Sequence, residues 1–270
     1  MADVVADEDT PRVDAHAHIF TRAMGFAEDA HSRPDYDYPV ARYLADLDAH
    51  GISHGVIAAA SLFGDNNDYT LAALDAHARL RGTVILRPET DAATLHAMAD
   101  RGVVGVRLQW RRMAQFPDLS SDPYRAFLRR LADCGMHVEL LAGGASLPDL
   151  LPRFADSGVR LVIDHFGVPS RDEAERRAGT DAVLRALQQG NAWVKISAGF
   201  RMPLPIAEEC AARFLAEAGP ERIIWGSDAP FVNWETKIDF ADTIALYRRL
   251  VPDAETRRRI DATAMQLFFT

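Results

Sequence analysis

Short apolar segments alternate with longer amphipathic ones along the whole of this 270-residue chain, and that alternation limits the fold more than any other feature. Strand patterns are read at Arg12–Phe20, His54–Ser61, Gly82–Leu86, Val103–Trp110, Met136–Ala142, Arg160–His165, Ala192–Ala198 and Arg222–Asp228. Helical patterns separate them at Val40–His50, Asp68–Leu80, Ala92–Arg101, Pro123–Cys134, Leu147–Asp156, Thr180–Gly190 and Pro205–Ala218. Two more, Asp239–Val251 and Asp253–Phe268, close the chain. Strands joined by helical crossovers pair in parallel. The expected α/β fold is a single (β/α)8 TIM barrel with extra C-terminal helices, the alternative being a doubly wound open sheet. Residues 11–270 form the barrel domain, and residues 1–10, MADVVADEDT, read as a loose acidic tail without a signal-peptide core.

Composition narrows the classes of partner. A formal charge of −9 disfavours nucleic acid and anionic membranes, while leaving room for a locally basic site that takes a small anionic molecule. The two cysteines, Cys134 and Cys210, form neither a C-x-x-C nor a disulfide framework, which suits a reducing cytoplasm. No run reaches the length of a membrane span. Self-association into a homo-oligomer is left open.

In a barrel of this kind, chemistry gathers where strands end and the following loops begin. Strand alternation puts Asp14, His16 and His18 on one face, with Val13, Ala15 and Ala17 on the other. Later strand ends supply Ser61, Arg107, Gln109, Asp164, His165, Lys195, Ser197 and Asp228, and strand five carries Glu139. The same parity turns Arg107 and Lys195 inward. A cation there needs an acid or an anionic ligand, and for Arg107 ligand contact is the favoured expectation. For Lys195 it stands level with an ion pair to Glu139 or Asp14. Asp228, freed by the turn before Pro230, is a candidate general base or metal ligand, against the commoner fate of a turn aspartate. Arg201 can reach the mouth and bind a carboxylate. Trp110, Tyr36 and Tyr38 can wall a ring-shaped ligand or simply anchor loops. His31, His50, His54, His77, His96 and His137 are taken as solvated or structural, and Arg111 and Arg112 as exposed loop charges. The long loop from Thr21 to Pro39 is of a length that often carries function.

Five segments, taken together, resemble the amidohydrolase superfamily: Val13-Asp14-Ala15-His16-Ala17-His18, Gly105-Val106-Arg107-Leu108, Val162-Ile163-Asp164-His165-Phe166-Gly167, Trp193-Val194-Lys195-Ile196-Ser197 and Ile224-Trp225-Gly226-Ser227-Asp228-Ala229-Pro230. Their order and spacing are similar to the branch that contains dicarboxylate and sugar lactonases. The resemblance implies a hydrolase that opens a lactone or related cyclic ester bearing a carboxylate. In it, Asp228 takes a proton from water while His16, His18 and His165 polarise the carbonyl. It further implies that Arg107 and Arg201 hold substrate carboxylates and that Ser61 is a polar position of the site. No cofactor is required in that branch; the alternative is one zinc or manganese ion held by His16, His18 and Asp228. Val168 and Leu141 depart from the pattern, standing where a basic residue and an aromatic hydroxyl are expected. A metal-dependent decarboxylase or hydratase of an aromatic or unsaturated acid is the second enzymatic reading. An inactive binding barrel is the third, opposed by the presence of Asp228 and both strand-one histidines.

Overall fold

Runs of Val, Ile and Leu between helical segments form eight parallel strands, joined in the order β1 to β8 in one sheet. They are β1 Val13–Ala17, β2 His54–Ile57, β3 Leu80–Val84, β4 Val103–Gln109, β5 His137–Leu141, β6 Arg160–Ile163, β7 Ala192–Ser197 and β8 Ile223–Gly226 in this computed structural model, which describes residues 10–270. The sheet closes on itself after β8: Asp228 N–H donates to the His16 carbonyl at 2.8 Å and His18 N–H to the Ala229 carbonyl at 2.7 Å. The architecture is therefore the (β/α)8 barrel. Except for Thr10, the expected tail lies outside the described residues. Among the described residues, no helix is long and apolar enough to cross a membrane.

The outer ring comprises α1 Val40–Ala49, α2 Asp68–Ala76, α3 Ala92–Asp100, α4 Asp122–Asp133, α5 Leu147–Leu150, α6 Glu173–Gln188, α7 Leu204–Glu217 and α8 Phe240–Leu250, followed by α9 Ala254–Phe269. Side chains of Asp91, Asp172, Asp239 and Asp253 cap α3, α6, α8 and α9 by accepting from backbone N–H groups. The cap at Asp172 starts α6 seven residues before the Thr180 expected from apolar periodicity, because its first turns are polar and exposed. The helix expected over Leu147–Asp156 instead breaks into the single turn of α5 and a 3-10 segment, Leu151–Ser157, since Pro152 has no N–H to continue the ladder. Leu80, expected to end a helix, begins β3.

The barrel interior has two layers. Val13, Ala15, Val56, Val162 and Ile224 meet Ala264, Leu267 and Phe268 of α9, which plugs the floor with apolar side chains. Above them lies a polar layer made by His16, Arg107, Glu139, Asp164 and Lys195, all 2% exposed or less. The inward position of Val13 and Ala15 corrects the expected shared face of Asp14, His16 and His18. The β1–β2 register shifts between Asp14 and Ala17, and that irregularity breaks strict alternation. Asp14 is separated from the site and accepts from Ser227 N–H (2.8 Å), Ser227 Oγ (2.6 Å), His16 N–H (3.1 Å) and Tyr43 Oη (3.2 Å). It ties β1 to β8 and to α1 instead, and burial pushes its carboxyl up to about 6.

The β1–β8 seam leaves no room at Gly226, where an added Cβ would lie 2.5 Å from His16 Cβ and 2.6 Å from its backbone nitrogen. Backbone cannot yield as a side-chain tip does. Gly226→Ala is expected to cost about 1–3 kcal/mol, as overpacking does, read as a lowered midpoint in urea unfolding. An unchanged midpoint would mean that the seam is looser than described.

Candidate active site

The ends of β1, β6 and β8 bring four side chains to one point. Asp228 Oδ1 lies 3.8 Å from Nε2 of His16, of His18 and of His165. Its other oxygen, Oδ2, accepts from Arg201 Nε at 2.6 Å, and Arg201 Nη1 donates to the Val232 carbonyl at 3.0 Å. Backbone strain concentrates at the same mouth. His165, Phe166 and Val168 after β6, Ala198 after β7, and Asp228, Phe231 and Asn233 after β8 all have φ between 47° and 68°. Non-glycine residues enter this left-handed region at a cost of order 1 kcal/mol or more each, met where a site over-determines the backbone.

Each imidazole is oriented from behind. His18 Nδ1 donates to the Ala58 carbonyl at 2.8 Å, which leaves its Nε2 with a lone pair. His165 Nδ1 is 2.7 Å from Ser197 Oγ, and His16 Nδ1 is 2.9 Å from Lys195 Nζ. Burial, reinforced by Lys195, holds His16 well below the ordinary histidine range. Burial also lowers His18 and His165 to about 4, with Arg107 adding to both effects. Asp228 goes the other way. Burial raises it, but the Arg201 guanidinium beside it outweighs burial and holds it below the ordinary carboxylate range. At neutral pH the site is an ionised carboxylate facing three neutral imidazoles.

Beneath it, Arg107 donates to Asp164 Oδ2 at 2.8 and 3.1 Å and to the Ala59 carbonyl at 2.8 Å, and lies 2.8 Å from Glu139 Oε1. Lys195 Nζ is 2.6 Å from Glu139 Oε2 and 3.3 Å from Asp164 Oδ1. Asp164 stays ionised because Lys195 and Arg107 outweigh its burial. Burial and the neighbouring Asp164 push Glu139 upward, yet short contacts to a cation at both oxygens hold it as a carboxylate.

A cavity of about 180 Å³ opens above the cluster. His18, His165, Asp228, Ser61, Arg107 and Arg201 line it, as do Gln109, His31, Arg111, Arg112 and Asn233. A larger groove of about 610 Å³, lined by Arg125, Arg129 and Arg153, lies on the helical exterior away from the strand ends. Several expectations change here. Lys195 is absent from the cavity lining and fully buried in the ion network, so the ion-pair alternative describes it and substrate contact does not. Arg107 reaches the cavity floor, but its guanidinium is already engaged by Asp164 and Glu139. Trp110 packs among Phe116, Tyr124 and Phe154, and Tyr36 donates to Glu235 at 2.9 Å outside the cavity; both are loop anchors. His31, Arg111 and Arg112, read from sequence as bystanders, line the mouth. The adjacent Arg111-Arg112 pair just past β4 was the available signal.

The match to known proteins agrees with this layout. The amidohydrolase family model matches residues 13–268. The chain belongs to the amidohydrolase family. It is similar to a 2-pyrone-4,6-dicarboxylate hydrolase of Comamonas testosteroni (27% identity over 266 residues, covering 92% of this chain and 86% of that one). It is also similar to a 4-sulfomuconolactone hydrolase of Hydrogenophaga intermedia (24% identity over 257 residues, 92% and 84% covered). Among solved structures, one from Pseudomonas putida described as a 2-pyrone-4,6-dicarboxylic acid hydrolase superposes with a TM-score of 0.87 at 36% identity, over 96% of this chain and 97% of that one.

An NMR titration of the imidazoles should place His18 and His165 near pH 4 rather than near the ordinary 6.5. Between those values the unfolded chain binds protons that the folded one refuses, so these histidines lower stability as pH falls through that window. Asp14 and Asp261, raised to about 6 by burial, act in the opposite sense. Midpoints near 6.5 for both histidines would contradict the dry, cationic surroundings described.

Proposed function

We propose that this amidohydrolase opens a lactone or related cyclic ester carrying acidic groups, with Asp228 as the base that activates water. The observation that carries this reading is Asp228 Oδ1, ionised and 3.8 Å from three neutral imidazole nitrogens, with its partner oxygen held by Arg201. A water seated at Oδ1 gives up a proton as its oxygen attacks the ester carbonyl, and the imidazoles orient water and carbonyl. The tetrahedral oxyanion is met by an imidazole N–H held in place beforehand, which is worth more in a water-poor site. On collapse the ring C–O bond breaks, and the proton held by Asp228 passes to the leaving oxygen. Arg111, Arg112 and Arg201 make the mouth locally basic on an acidic chain, which suits an anionic substrate. Both named relatives act, by their names, on lactones or pyrones bearing carboxylate or sulfonate. The two free cysteines support a reducing, cytoplasmic setting.

His16, His18 and Asp228 place one ligand atom each within 4.8 Å of one another, and the free Nε2 of His18 completes a nitrogen and oxygen donor set of the kind zinc or manganese accepts. Such an ion would polarise the carbonyl and acidify water. Balance of charge does not call for it, because Arg107, Lys195 and Arg201 already face Glu139, Asp164 and Asp228.

Assayed on a panel of lactones with two, one or no acidic groups, the protein is expected to prefer the dianionic members. Asp228→Asn should lower kcat by about 10²–10⁴-fold with its circular dichroism unchanged. Arg111→Ala/Arg112→Ala should chiefly raise KM. Hydrolysis by Asp228→Asn within about tenfold of the parent would remove Asp228 as the base.

A further inference from the structure

Lys195 lies wholly inside the barrel, where its ammonium donates to Glu139 Oε2 at 2.6 Å and to His16 Nδ1 at 2.9 Å and lies 3.3 Å from Asp164 Oδ1. We propose that Lys195 is a positioning residue that fixes the tautomer of His16, so that His16 presents an N–H and His18 a lone pair to the same point beside Asp228.

The argument is one of donors and acceptors. A neutral imidazole has one of each, an ammonium only donates and a backbone carbonyl only accepts. His16 Nδ1 meets the ammonium and must accept, which leaves its proton on Nε2. His18 Nδ1 meets the Ala58 carbonyl and must donate, which leaves Nε2 bare. Two histidines two residues apart, with ring centroids 5.0 Å from each other, are thus fixed in opposite tautomers by partners of opposite kind. A competing arrangement would put the His16 proton on Nδ1, facing Asp164 Oδ1 at 3.3 Å, with Arg107 Nη2 at 3.4 Å donating to Nε2. Both contacts are longer than the 2.9 Å one to Lys195.

The consequence deepens the proposed reaction, on which its catalytic part rests. His16 Nε2–H becomes the donor to the carbonyl oxygen as it turns anionic. His18 Nε2 becomes the acceptor for the second hydrogen of the water whose first hydrogen goes to Asp228. A divalent ion could take His16 Nε2 only after that proton left, so the same tautomer governs whether the cluster accepts an ion.

The test needs no substrate. In protein labelled with 15N in its imidazoles, long-range proton–nitrogen spectra at neutral pH should show His16 protonated at Nε2 and His18 protonated at Nδ1. Assignments come from His16→Gln and His18→Gln. Finding His16 protonated at Nδ1, or both residues in one tautomer, overturns the proposal. Lys195→Met alone leaves two buried carboxylates short of a cation, so the companion variant is Lys195→Met/Glu139→Gln, which removes one charge of each sign. It should lose the Nε2–H signature at His16, and on a lactone substrate its kcat should fall about 10²-fold with KM little changed, the loss typical of one oxyanion donor. Retention of both the signature and kcat would also overturn it. If the expected tautomers are found but no lactone is turned over, the reading of the reaction fails and the assignment to Lys195 stands.

Discussion

Everything at the mouth of this barrel depends on a balance of buried charge inside it. A parallel barrel is an apolar environment, and an unpaired ion there costs several kcal/mol. Here Arg107, Lys195 and Arg201 stand against Glu139, Asp164 and Asp228, with contacts of 2.6–2.8 Å between opposite charges. That closure lets a polar layer sit directly above the apolar plug formed with α9. Burial, reinforced by the cations Lys195 and Arg107, keeps the rings neutral, while the Arg201 contact keeps Asp228 ionised. A charged carboxylate and uncharged imidazoles thus share one buried cluster.

How much of this the sequence reveals differs by level. The alternation of strand and helix patterns is legible because each period spans several residues and errors at the ends average out. The placement of His16, His18, His165 and Asp228 at strand ends follows from the same alternation. Asp14 escapes it because a single irregularity in β1 reverses parity after the residue, and no residue type announces the shift. Arg107 and Lys195 turn inward as parity requires, but parity cannot say whether a cation meets a ligand or a carboxylate from a strand distant in sequence. Glu139 and Asp164 decide that. His31, Arg111 and Arg112 lie on loops whose course is set by tertiary packing, so their convergence on the cavity is a property of the folded chain.

The strained backbone after β6, β7 and β8 fits the same division of labour. Strands supply a rigid ring, and the positive φ values at His165, Ala198 and Asp228 turn the chain sharply enough to aim side chains across the mouth. Arg111 and Arg112 line the cavity above from the loop after β4, outside the buried ion network.

The central claim, that Asp228 activates water and does not itself attack the carbonyl, is tested most directly by a single turnover in 18O-labelled water. With enzyme in excess over a lactone substrate, the account predicts one 18O in the newly formed carboxylate of the product and none in the peptide containing Asp228. Label in the Asp228 carboxylate would show that it had formed an acyl bond to the substrate, and would contradict the account.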